Sequence, residues 1–155
     1  MKTSRSLRQT IIFLLVLLVG LPLTVFAQET TAAPKKFSQE QLDQMLAPIA
    51  LYPDSLLIQI LIASTYPLEV VMADRWIKQN KDLRGDQLND ALDKQPWDAS
   101  VKALAPFPEV LAMMNDKLDW TPMLGDAFLA QKEEVMATVQ NLRQKAYEAG
   151  NLKTT

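Results

Sequence analysis

Leu46-Ala47-Pro48-Ile49-Ala50-Leu51-Tyr52-Pro53-Asp54-Ser55-Leu56-Leu57-Ile58-Gln59-Ile60-Leu61-Ile62-Ala63-Ser64-Thr65-Tyr66-Pro67-Leu68-Glu69-Val70-Val71-Met72-Ala73-Asp74-Arg75-Trp76 is the stretch whose reading decides the fold. From Leu56 to Ala63 every position except Gln59 is apolar. A helix with apolar side chains all round has no solvent face, so it is either enclosed by protein or placed in a membrane. Eight residues fall far short of the roughly 20 that a bilayer needs. The run therefore reads as the central helix of a soluble domain. A buried strand is the rival reading, because a short apolar run does not separate the two by periodicity. The flanks favour the helix. Pro53-Asp54-Ser55 offers an N-cap carboxylate or hydroxyl, Pro67 stops the run or opens the next element, and no partner strand is visible elsewhere. Enclosing its seven Leu, Ile and Ala side chains is worth about 10 kcal/mol before chain entropy is subtracted.

Upstream, Ser38-Gln39-Glu40-Gln41 forms a capping box that starts a helix with Leu42, Met45, Leu46 and Ile49 on one face. Pro48 cuts or kinks it. Downstream, Pro67 suits the first position of a third helix, where its missing N–H costs nothing, and Glu69 favours the helix dipole. Val70, Ala73, Trp76 and Ile77 face inward, while Asp74 and Lys78 form an i,i+4 pair on the wet side. Short helices follow near Asp86 to Lys94, Ala99 to Ala105 and from Pro108. The spacing predicts one long last helix from Asp119 or Thr121 to Ala149, with Phe128, Val135, Leu142 and Ala149 recurring every seven residues. Its far side is Lys132, Glu133, Glu134, Arg143 and Lys145, and Gly150 stops it. The expected fold class is all-α: a compact domain of six or seven mostly short helices around the buried central one, ending in a long C-terminal helix.

The N-terminus has the layout of a secretory signal peptide. Lys2, Arg5 and Arg8 precede the apolar run Ile11 to Val19, and Val25-Phe26-Ala27 supplies a cleavage site after Ala27. An uncleaved anchor is the alternative, disfavoured by the short run and by Gly20 and Pro22. The expected organisation is 1–27 signal peptide, 28–37 flexible leader, 38–150 helical domain and 151–155 tail. The destination is the periplasm or the exterior, with no stable membrane span after cleavage. The full sequence holds 16 basic and 18 acidic residues, a net charge of −2, and cleavage removes three basic residues and no acidic one, leaving −5.

Composition excludes several chemistries. There is no Cys and no His, hence no disulfide, Cys nucleophile, Cys/His zinc site or His-based triad. Four glycines make no phosphate-cradling loop, and the balanced charge argues against nucleic acid. No cofactor or metal is expected. Asp82, Asp86, Asp90 and Asp93 lack an EF-hand pattern and read as a solvated acidic face.

An aromatic, a Pro and an acid recur at helix starts: Tyr52-Pro53-Asp54, Tyr66-Pro67-Leu68-Glu69 and Phe107-Pro108-Glu109. Leu46-Ala47-Pro48 and Leu104-Ala105-Pro106 echo each other upstream. Each ring is expected to pack on its own helix while the acid caps it. The functional reading is a row of aromatics lining a groove. Trp76 falls on an inward face. Trp97 and Trp120 sit at turns or helix starts, where an indole can be half exposed with its N–H bonded. Tyr52, Tyr66, Trp97 and Trp120 are therefore the candidate partner-binding residues.

These motifs, with Ala63-Ser64-Thr65-Tyr66-Pro67, Gln95-Pro96-Trp97-Asp98, Val101-Lys102-Ala103-Leu104, Leu118-Asp119-Trp120 and Leu124-Gly125-Asp126-Ala127-Phe128, resemble the bacterial family catalogued as domain of unknown function 3300. The resemblance covers about Phe37 to Leu152. It implies an envelope protein exported by Gram-negative bacteria, without catalytic residues to carry over. Family members often continue into a long Pro-, Tyr- and Val-rich tail, so a chain ending at Thr155 reads as a short member or as part of a longer protein.

Two functions remain open. The first is a non-catalytic exported module that binds an envelope protein or a cell-wall component. The second is a glycan hydrolase or lyase acting through carboxylates, with Asp54, Glu69, Asp98, Glu109, Asp119 and Asp126 as candidates. All but Asp126 stand where a helix start wants an acid, so capping explains them without a substrate. Peripheral attachment to a membrane is a weaker third reading, which the acidic mature charge opposes.

Overall fold

The computed structural model describes residues 36–150. The expected signal peptide and tail lie outside these residues, as does the leader up to residue 35. Eight helices follow one another among the described residues: α1 Gln39–Leu46, α2 Asp54–Ala63, α3 Pro67–Gln79, α4 Gly85–Asp93, α5 Ala99–Ala103, α6 Pro108–Asp116, α7 Trp120–Ala130 and α8 Lys132–Glu148. No strand occurs among them. The fold is all-α, and the apolar run from Leu56 is helical, as its flanks require.

Helix α2 packs against α5 and α7, α3 packs along α6, and α1 packs along α8. Helix α7 touches α1, α2, α6 and α8. Leu56, Leu57, Ile60, Leu61 and Ala63 are buried, whereas Ile58, Gln59 and Ile62 are only partly covered. The enclosure of α2 is thus incomplete along one stripe. No single helix among the described residues is long and apolar enough to cross a membrane. Helices α2 and α3 pass that test only as a pair, and they are bent by 114° at the break between them.

Ser38 and Gln41 close the expected capping box: Ser38 Oγ accepts the Gln41 N–H and Gln41 Oε1 accepts the Ser38 N–H. The caps at α2 differ from expectation. Pro53 is the N-cap and no side chain caps the helix. Asp54 instead pairs with Arg143, whose Nη1 lies 2.5 Å from its Oδ1. Arg143 was expected on the wet side of the last helix. Its guanidinium also donates to the Ala50 and Tyr52 carbonyls, at 2.7 and 2.8 Å. One cation therefore ties α8 to the chain entering α2, satisfying carbonyls that no helix pairs.

Asp74 is likewise buried rather than wet. Its Oδ2 accepts from Lys78 Nζ at 2.7 Å and from Asn115 Nδ2 at 2.9 Å, joining α3 to α6.

The echoing helix starts are real as backbone geometry for two of the three. Tyr66 (φ −121°, ψ 56°) and Phe107 (φ −118°, ψ 66°) take the same conformation before a Pro at the first helical position. Pro53 sits one position earlier relative to its helix.

The expected long C-terminal helix is present as α8, 17 residues from Lys132 to Glu148, but it does not start near Thr121: the chain breaks at Gln131 (φ −144°, ψ 46°), which separates it from α7. The buried Gln131 side chain accepts the Phe37 N–H at 2.6 Å and donates to the Phe37 carbonyl at 3.2 Å. Phe37, assigned to the leader by its sequence, is therefore part of the folded domain and buried. The seven-residue stripe also fades: Val135 is buried, Leu142 half-buried and Ala149 exposed. Gly150 ends α8 with φ +76°, the left-handed conformation glycine tolerates best.

Candidate functional site

Trp120 is the first residue of α7. Its indole N–H donates to the Met45 carbonyl at 2.9 Å. That carbonyl lies in the last turn of α1, where helix carbonyls lack intrahelical partners. The ring is thereby fixed but only partly covered. It lines a hollow of about 270 Å³ with Phe37, Gln41, Gln44, Met45 and Met123. Phe37 is held by Gln131, and Gln41 by the capping box, so this wall is pre-formed. The Gln44 side chain has no hydrogen-bond partner among the described residues. Lys117 Nζ lies 5.9 Å from the Trp120 ring centroid.

An indole face, two thioethers and two amides, with no charged group in the lining, suit an uncharged amphipathic surface. A sugar ring face or an apolar side chain of a partner has that character.

The other expected aromatics stand elsewhere. Trp97 is 6% exposed and meets Trp76 edge to face, with centroids 5.9 Å apart. Its indole N–H is buried without a hydrogen-bond partner. The half-exposed, hydrogen-bonded state expected of it is found at Trp120 but not here, because Pro96-Trp97 turns the ring into the core. Tyr66 is exposed and Tyr52 half-buried, and neither lines the Trp120 hollow. The structure does not gather the four residues into one groove. Met45, Met123 and Gln44 complete the lining: the sequence places Met45 on the core face of α1, and nothing in the local pattern marks the other two.

Of the six candidate acids, Glu69 and Asp98 meet at the start of α5. Glu69 Oε2 accepts the Asp98 N–H at 2.6 Å, and Asp98 Oδ1 accepts the Ser100 N–H at 2.8 Å, capping α5. Glu109 and Asp119 are exposed at helix starts, without a side-chain cap bond at either helix. Asp126 is exposed on α7 and makes no hydrogen bond to a neighbouring turn. Among the described residues no three acidic side chains come together as a metal site.

A family model described as "Protein of unknown function (DUF3300)" matches residues 38–155. The chain belongs to this family. The match covers every helix of the DUF3300 domain described above. The chain is also 50% identical over 139 residues to "Uncharacterized protein YacH" of Escherichia coli (strain K12). That alignment covers 88% of this chain and 22% of the relative, so the DUF3300 chain corresponds to about a fifth of that protein. No solved structure matches it.

Three carboxyls of the DUF3300 domain are held below their ordinary range. The Ser100 hydroxyl and then the Ser100 N–H lower Asp98. The Gln39 amide lowers Asp43, helped by Lys145. The backbone N–H of Glu40 and the Ser38 hydroxyl lower Glu40. A carboxyl with a depressed folded pKa contributes stability above its unfolded value, and that contribution is lost as pH falls through the folded value. Stability is expected to be flat from pH 7 to about 5 and to decline below about 4. Urea unfolding across this range measures it, and Asp98→Asn should shallow the acid limb. A profile that rises on acidification, or an unchanged limb in the variant, contradicts this assignment.

Proposed function

We propose that the domain is a non-catalytic binding module, exported through its N-terminal signal and acting in the bacterial envelope. It holds a protein or cell-wall partner against the Trp120 hollow. The observation that carries this reading is the hollow itself: a fixed, half-open indole flanked by Met45, Met123 and the Gln44 amide. The export pattern in residues 1–27 supports the location. The state of Glu69 and Asp98 favours binding over hydrolysis, because both carboxylates accept backbone N–H groups at a helix start. An Asp98 held ionised is also a poor proton donor near neutrality.

The exported protein is tested first by co-sedimentation with purified peptidoglycan sacculi, then by crosslinking to envelope proteins. Wild type should be retained in one of the two, and Trp120→Ala should reduce retention about tenfold or more, as loss of an aromatic stacking surface does. No retention above background in either experiment defeats the proposal. Release of soluble glycan fragments, abolished by Glu69→Gln or Asp98→Asn, replaces it with the hydrolase.

A further inference from the structure

A second hollow, of about 370 Å³, opens where the end of α3 and the start of α4 meet the loop between α5 and α6. It shares no residue with the Trp120 hollow. The chain as a whole has more acidic than basic residues, yet Lys78, Lys81 and Arg84 line this hollow and no carboxylate does. Lys78 is matched by the buried Asp74. Lys81 and Arg84 have no carboxylate partner among the described residues. Asp82 and Asp86 are neighbours in sequence but are exposed and outside the lining. Arg84 Nη1 donates to both the Lys81 and Leu83 carbonyls, which fixes the guanidinium and leaves the Nε and Nη2 edge as its paired donors. Asn80 also lines the hollow, with its amide nitrogen spent on the Trp76 carbonyl at 2.8 Å. Its amide oxygen is the acceptor left over. Ile77, Leu88 and Pro106 supply an apolar surface beside these groups.

We propose that this hollow binds the C-terminal residue of a peptide. The carboxylate lies between Lys81 and Arg84, the N–H of the same residue donates to Asn80 Oδ1, and an aliphatic side chain rests on Ile77, Leu88 and Pro106. Arg presents paired donors that match a carboxylate's two oxygens. A chain end carries its N–H and carboxylate on one Cα, which fits two cations beside one acceptor. A fatty acid offers no N–H to Asn80. A Glu side chain sets its carboxylate several bonds from the backbone N–H. The volume lies at the lower end of small-ligand pockets, about 300–1,000 Å³, and accommodates one or two residues. This site does not depend on the Trp120 reading.

The test titrates the full chain with acetyl-Ala-Ala-Leu as free acid, followed by backbone NMR. Arms with its C-terminal amide, acetyl-Ala-Glu-Ala-amide and octanoate distinguish the sources of carboxylate. The free acid should bind saturably by the millimolar range, with shifts at Asn80 and Leu88, and weaken with added salt. The amide and the two decoys should bind about tenfold more weakly or not at all, and Lys81→Glu and Arg84→Gln should each cost about tenfold. Both side chains are exposed, and far-UV circular dichroism confirms that the variants fold. No saturable shift overturns the proposal. So does equal binding of acid and amide, a decoy as tight as the free acid, or indifference to both substitutions.

Discussion

Replacing Ile60 with Asp is expected to leave no cooperatively folded protein at room temperature. Ile60 is fully buried in the middle of α2, and Leu57 and Leu61 beside it are equally enclosed. The substitution removes an apolar side chain whose burial is worth about 2–3 kcal/mol. It also places a carboxylate in the core without a partner. The effective desolvation penalty is several kcal/mol per ion, or the carboxyl takes up a proton at comparable cost. Together these match the total stability of an ordinary domain, about 5–15 kcal/mol. The same change at Ile58, which is only half-buried on the same helix, should cost much less, since its carboxylate can reach water. Thermal melts followed by circular dichroism read both. A cooperative Ile60→Asp melt near the wild-type temperature, or equal damage from Ile58→Asp, would refute the packing described for α2.

The comparison of Ile58 with Ile60 also shows what the sequence could and could not convey. The apolar run identified α2 and its burial, and its one polar residue, Gln59, lies on the side left partly open, but nothing in the run itself separates Ile58 and Ile62 on that side from the buried Ile60. The Ser38-Gln41 box and the prolines at 67 and 108 marked helix starts correctly, because each acts locally through a backbone group or a fixed φ. Where a residue's partner is distant in sequence, local pattern was silent. Arg143 looked like a solvated cation because its acceptors, Ala50 and Tyr52, lie about 90 positions away. Asp74 looked wet because Lys78 at i+4 explains it fully until Asn115 arrives from α6. The break at Gln131 has the same origin. Ala130-Gln131-Lys132 contains no helix breaker, and the non-helical Gln131 is held by the Phe37 backbone, 94 positions away. That clamp also brings Phe37 to the wall of the Trp120 hollow, so the candidate site was only partly legible: Trp120 from its position at a helix start, its surroundings from tertiary contacts alone.

The second large effect is expected at Gly125. In an exposed helix, Gly→Ala gains about 1 kcal/mol through backbone entropy. Here the sign should reverse. A Cβ built on Gly125 would stand 2.5 Å from the Ser64 carbonyl oxygen, 2.8 Å from its carbon and 2.9 Å from the Thr65 nitrogen. These are backbone atoms of the turn between α2 and α3, and that turn has little freedom to yield. Ser64 Oγ donates to the Leu61 carbonyl at 2.6 Å, Thr65 Oγ1 donates to the Ile62 carbonyl at 2.7 Å, and the Tyr66 N–H donates to Ala63. Relief must therefore come from displacing α7 against α2, which disturbs a close-packed core. Overpacking of this kind costs about 1–3 kcal/mol and more against rigid backbone. After the propensity gain, Gly125→Ala should be about 2 kcal/mol less stable, and Gly125→Val should be worse. Because α7 also carries Trp120 and Met123, both variants should quicken amide exchange at the 64–66 turn and broaden the Trp120 indole resonance together. An unchanged or raised melting temperature for Gly125→Ala would mean that the turn swings aside freely. The close approach of α7 to the end of α2 would then not be what fixes the Trp120 wall.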